Sequence, residues 1–101
     1  MINMKHPEKR KLRREKDVYL KIADILYFYK NDEADKEKTV KRLNFLKLIV
    51  KKKFNNENLL DIIEKAKDLI ETHGKNAYDI FMKEYKIEEL EKENSLLQWI
   101  K

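Results

Sequence analysis

The chain has 101 residues, with 24 Lys and Arg against 19 Asp and Glu for a net charge of +5, one Gly, one Pro and no Cys. That length accommodates one core rather than two, and the missing Cys excludes a disulfide framework, thiolate zinc sites and a Cys nucleophile while favouring a reducing compartment. No apolar run approaches the roughly 18 residues of a spanning helix, and the opening MINMKHPEKRK has no apolar stretch behind its charges, so a cytoplasmic chain with no membrane partner is expected.

His6, Pro7 and Glu8 read as a helix start, because Pro is tolerated at the first helical position and Glu favours the positive end of the dipole. The stretch EKRKLRREKD, residues 8–17, follows, with six Lys or Arg in ten residues and Leu12 as the one apolar interruption. From Val18 the pattern sharpens. Val18, Tyr19, Ile22, Ile25, Leu26 and Tyr29 fall at steps of one, three and four, the stripe of an amphipathic helix. Residues 1–17 are thus expected to form a basic arm or helix extension on a bundle made by residues 18–101.

NDEAD, residues 31–35, breaks the periodicity and offers Asn31 or Asp32 as the next N-cap, with acids in the first turn. The second helix is predicted to reach about Phe54. Val40, Leu43, Leu46, Ile49, Val50 and Phe54 form its stripe, and Phe45 and Leu48 widen it beyond what one neighbour covers, so this helix is expected to be central or to contact another chain. Asn55 and Asn56 supply a cap for the third helix, whose stripe is Leu59, Leu60, Ile62, Ile63, Ala66, Leu69 and Ile70. It ends at His73 and Gly74, a left-handed C-cap. Asn76 then caps a fourth helix carrying Tyr78, Phe81, Met82 and Tyr85 on one side. Strand-like alternation is absent.

In KIEELEKENSLLQ, residues 86–98, Ile87, Leu90, Asn94 and Leu97 take successive a, d, a and d positions of a heptad. The pattern resembles the leucine zippers of dimeric transcription factors, and the resemblance implies a parallel pair specified by Asn94, with Lys86 near Glu91 of the partner helix. It extends over two heptads, whereas sustained coiled coils need three or four. The competing expectation, and the preferred one, is that these residues pack inside the same bundle. Trp99 and Ile100 call for cover from the bundle or from a second chain.

The inventory for catalysis is thin: one Ser, two Thr and two His. Nucleophilic catalysis needs a hydroxyl or thiol beside a base, and Ser95 has no His near it in sequence. His73 reads as a helix-end residue. Two distant His without Cys give no zinc spacing. Asn31, Glu33, Asp35 and Glu37 alternate like the start of a calcium loop, but the turn Gly is missing and Arg42 stands at the twelfth position. Asp32, Glu33, Ala34 and Asp35 spell a helicase box with no phosphate-binding loop to support it. No enzyme, metal or cofactor is expected.

Charge is divided along the chain. Residues 1–30 carry nine basic and four acidic side chains and residues 31–55 eight and four, for +9; residues 56–101 carry seven and eleven, for −4. Such asymmetry has two readings, a basic face for a polyanion or two faces that attract one another within or between chains. Lys9, Arg10, Lys11, Arg13, Arg14 and Lys16 form the first basic cluster. Lys51, Lys52 and Lys53, with Lys41, Arg42 and Lys47, form a second. Tyr27 and Phe28 are candidates for stacking on bases, and Tyr19 for the core.

The expected fold is therefore all-α, a single-domain antiparallel helical bundle of four to five helices with short loops near residues 31–35, 55–57 and 73–76 and a zipper-like C-terminal helix. The expected function is that of a small non-enzymatic nucleic-acid-binding or regulatory protein. Lys9, Arg10, Lys11, Arg13, Arg14 and Lys16, helped by Lys51, Lys52 and Lys53, would contact DNA or RNA phosphates with low sequence specificity. The alternative is a protein–protein interaction module, an inhibitor or adaptor from a phage or mobile element that binds a larger, acidic host protein. Phe45, Leu48, Ile87, Leu90, Asn94 and Leu97 are the candidate partner or homodimer contacts.

Overall fold

Four α-helices and a single 3₁₀ turn build residues 12–90, the part of the chain that the computed structural model describes. They are α1 (Glu15–Lys30), α2 (Lys36–Lys53), α3 (Glu57–His73), the 3₁₀ turn Gly74–Asn76 and α4 (Ala77–Glu84). Helix resumes at residues 87–90, and no strand occurs among the described residues.

α1 does not extend upstream through Arg14, Arg13 and Leu12. Leu12 and Arg13 are irregular and Arg14 is the N-cap, because the Asp17 carboxylate accepts the backbone N–H groups of Arg13 and Arg14 at 2.9 and 2.8 Å. An acid three residues inside a helix that reaches back to the cap is half of a capping box, and it stops the helix there. Leu12, only 7% exposed, turns into the core and fixes the direction from which the chain arrives. The expected start at Pro7 lies outside the described residues, and the expected uninterrupted helix through Arg13 and Arg14 is corrected.

The first loop also departs from expectation in detail. Asp35, rather than Asn31 or Asp32, caps α2 through a 2.8 Å bond from the Lys38 N–H, while Asp32 sits at a φ of 63°. That left-handed conformation cannot serve as an N-cap, whose backbone must be extended. Asn56 caps α3 as expected, accepting from Asn58 N–H at 2.9 Å. Gly74 closes α3 at φ 59° and ψ −132°, a region that essentially only Gly occupies without strain.

The helices run alternately up and down. Lys36 pairs with Glu71 and Lys47 with Glu64, which sets α2 antiparallel to α3; Tyr19 meets Tyr85 and Tyr27 meets Tyr78, which sets α4 antiparallel to α1. α1 and α3 each pack against all three other helices, whereas α2 touches only α1 and α3. By burial the most enclosed helix is α1, so of the two expectations for α2, a central place or contact with another chain, the first is not met. Val18, Leu20, Ile22, Ala23, Ile25, Leu26, Phe28 and Tyr29 of α1 are all buried, whereas α2 buries only Leu43, Leu46 and Val50 among its apolar residues. Phe81, Leu59, Ile63 and Ile87 complete the fully buried core.

Candidate nucleic-acid interface

The up-and-down topology puts the start of α1, the end of α2 and the start of α3 at one end of the bundle. Asn56 fastens them. Its side-chain oxygen caps α3, and its Nδ2 donates to Glu15 Oε2 at 2.8 Å. The two basic clusters, separated by some 35 residues in sequence, are thereby brought to the same end: Arg13 and Arg14 immediately before α1, and Lys51, Lys52 and Lys53 in the last turn of α2.

All five of these side chains belong to exposed residues. The Arg14 guanidinium lies 3.6 Å from Asp17 while remaining 53% exposed, so it is steadied more than neutralised. Lys16 is half-buried on the first turn of α1. Lys51, Lys52 and Lys53 make no ion pair among the described residues and sit on the negative end of the α2 dipole, which favours cations there for reasons of helix stability as well. Lys9, Arg10 and Lys11 lie outside the described residues.

Elsewhere the opposite charges of the two halves meet within the chain. Lys30 reaches Asp79 at 3.0 Å, Lys36 reaches Glu71 at 2.9 Å and Lys47 reaches Glu64 at 2.7 Å, while Lys75 pairs with Asp32 in the reverse sense. The Glu64 carboxyl is held below the usual carboxylate range, first by the Lys47 hydrogen bond and then by the Lys67 charge. Lys36 is raised by its bond to Glu71, as Lys65 is by Glu84 at 2.8 Å. The second cluster is consequently split. Lys47 is spent on α3, Lys41 stands 4.0 Å from Glu37, and Arg42 lies 5.9 Å over the Phe28 ring.

That ring is only 8% exposed, which removes Phe28 as a stacking platform. Tyr27 is 45% exposed but lies edge-on against Tyr78 of α4, with Lys30 5.2 Å from the Tyr78 ring, towards the other end of the bundle. Tyr19 is half-buried against Tyr85, and burial raises both phenols above their ordinary value. Among the described residues the ring at the basic end is Phe54, the C-cap of α2, half-buried against the core, and the exposed ring of Phe45 lies further back on the same helix.

The remaining candidates separate cleanly. Phe45 and Leu48 are 64% and 60% exposed on α2. Ile87 is fully buried and Leu90 packs partly against the same core, so Ile87 is already covered within one chain and drops out of the partner contacts. Asn94 and Leu97 lie outside the described residues, as do Ser95 and His6. His73 is exposed in the last turn of α3. Asp35 is spent on capping α2, and no group of three His, Cys, Asp or Glu is placed to hold a metal among the described residues. No helix among them is long and apolar enough to cross a membrane.

Compared with protein-family models, with curated proteins and with solved structures, the chain matches none of them.

Proposed function

We propose that this is a small, non-enzymatic nucleic-acid-binding protein that grips the phosphate backbone with the basic end of its bundle. The observation that carries the reading is the Asn56–Glu15 hydrogen bond, which holds Arg13 and Arg14 on the same end as Lys51, Lys52 and Lys53. Lys9, Arg10 and Lys11 would extend that surface along the polyanion, and Lys16 would border it. Cations at such intervals release condensed counterions on binding, and that release supplies most of the affinity. With no recognition helix among the described residues, binding should tolerate any sequence. The absence of Cys suits a reducing, cytoplasmic setting.

The test is fluorescence anisotropy with labelled duplex DNA, single-stranded DNA and RNA across a salt series. Engagement of about five phosphates predicts a log–log slope near −4 to −5 on duplex DNA. Charge reversal of Lys51, Lys52 and Lys53 together should flatten the slope by about 2 to 3. Absence of a complex with all three nucleic acids at about 50 mM salt would sink the proposal.

A further inference from the structure

The outward face of α2 carries a second surface, which meets the basic end only at Lys52. Lys41, Phe45, Leu48 and Lys52 follow one another at steps of four, three and four, so they share one line along the helix. The opposite line, Leu43, Leu46 and Val50, is buried against the bundle. Since α2 touches only α1 and α3, nothing described in the chain covers the outer line. Phe45 and Leu48 are more than half exposed as neighbours, and two large apolar side chains set side by side between cations are not a solubilising face.

We propose that this face docks an amphipathic helix of an acidic protein partner, with Phe45 and Leu48 in its apolar seam and Lys38, Lys41 and Lys52 against its carboxylates. Charge decides the occupant. A second copy of this chain laid antiparallel would set Lys41 against Lys52, and laid parallel would set each Lys against itself, so both self-pairings oppose like charges along the seam. A nucleic acid could stack a base on Phe45 but would leave Leu48 and the rest of the apolar line uncovered. An acidic amphipathic helix satisfies both the seam and its flanks, the arrangement in which one apolar stripe packs on another between complementary charges. The line from Lys41 to Lys52 spans about 16 Å, which matches a partner helix of about three turns.

The experiment uses the full chain, labelled with ¹⁵N, and a synthetic peptide of about three heptads with Leu at a and d and Glu at the flanking positions. Like charge keeps that peptide from pairing with itself. Saturable shifts confined to the outer face of α2 are expected, and Phe45→Ala with Leu48→Ala should weaken binding by about tenfold or more. Because both side chains are exposed, the double variant keeps the fold of the parent, checked by an unchanged thermal midpoint, and keeps its nucleic-acid affinity. Four results would overturn the proposal: shifts elsewhere or none; equal binding of the peptide with every Glu replaced by Lys; concentration-dependent dimerisation of the chain that the double variant abolishes; or a nuclear Overhauser contact between Trp99 and Leu48 in the free protein, which would make the chain's own end the occupant.

Discussion

The Asp17 carboxylate accepts the backbone N–H of Arg14 at 2.8 Å, and this one contact decides where α1 begins. Asp17 is 7% exposed, and the same oxygen also takes the N–H of Arg13. Removing it strands two donors at the mouth of the helix. Asp17→Ala should therefore cost about 1–2 kcal/mol, read as a lower urea midpoint at unchanged m. Asp17→Asn, which keeps an acceptor oxygen, should recover part of that loss. Equal stability of Asp17→Ala and the parent would show that the cap carries no load.

Gly74 and Lys86 make an opposed pair of backbone predictions. An added Cβ at Gly74 would meet no atom within 4 Å, so the cost of Gly74→Ala lies wholly in its positive φ of 59°. About 1–2 kcal/mol of destabilisation is expected. Lys86 occupies a φ of 52° without being Gly. Lys86→Gly should relieve that conformation and raise stability by up to about 1 kcal/mol, minus what a more flexible unfolded chain takes back. Thermal melts of both variants check the signs.

Phe81 and Phe45 are the same side chain in opposite situations, one fully buried and one 64% exposed. Phe81→Ala leaves a cavity in the core under α4 and should cost about 3–5 kcal/mol. Phe45→Ala should stay within about 0.5 kcal/mol of the parent. Urea titration separates the two. A large loss at Phe45 would mean that the ring is covered in solution.

Acid should weaken the α2–α3 contact before it unfolds the bundle. The folded state holds the Glu64 carboxyl below its unfolded value of about 4.3, so the native chain binds fewer protons there. The stabilisation is complete above that unfolded value and is lost as pH falls through the folded one. Both partners are about 40% exposed, so screening limits the effect to roughly 1 kcal/mol or less. Glu64→Gln should flatten stability against pH between about pH 5 and pH 3, and added salt should shrink the difference between the two proteins. Identical pH slopes at low salt would remove this pair from the account.

Sequence periodicity located the elements well and their neighbours poorly. The breaks near residues 31–35, 55–57 and 73–76 are where the loops fall, because Asp35, Asn56 and Gly74 carry local chemistry that acts within a few residues. Which helix is the most enclosed depends on who covers whom, and that is not a local property. Leu20, Ala23 and Phe28 lie off the expected α1 stripe yet are buried, since α1 is walled on three sides. Phe45 and Leu48 looked equally apolar and remain outside. The meeting of the two basic clusters was equally hidden, for it follows from topology and from Asn56 reaching Glu15 rather than from any motif. The start of α1 is legible in principle, since Asp17 stands three residues after Arg14, the spacing at which an acid reaches back to a cap, although it is set in a run of cations.

The enclosed position of α1 carries a consequence for biosynthesis. The ribosome delivers this helix first, yet α4, which supplies Phe81 and the rings that meet Tyr19 and Tyr27, is delivered last among the four. A nascent chain halted after α3 presents one flank of its greasiest rod to solvent, where it invites chaperone capture or clumping. Loss of the α4 segment is therefore expected to yield insoluble or rapidly degraded product rather than a smaller working bundle.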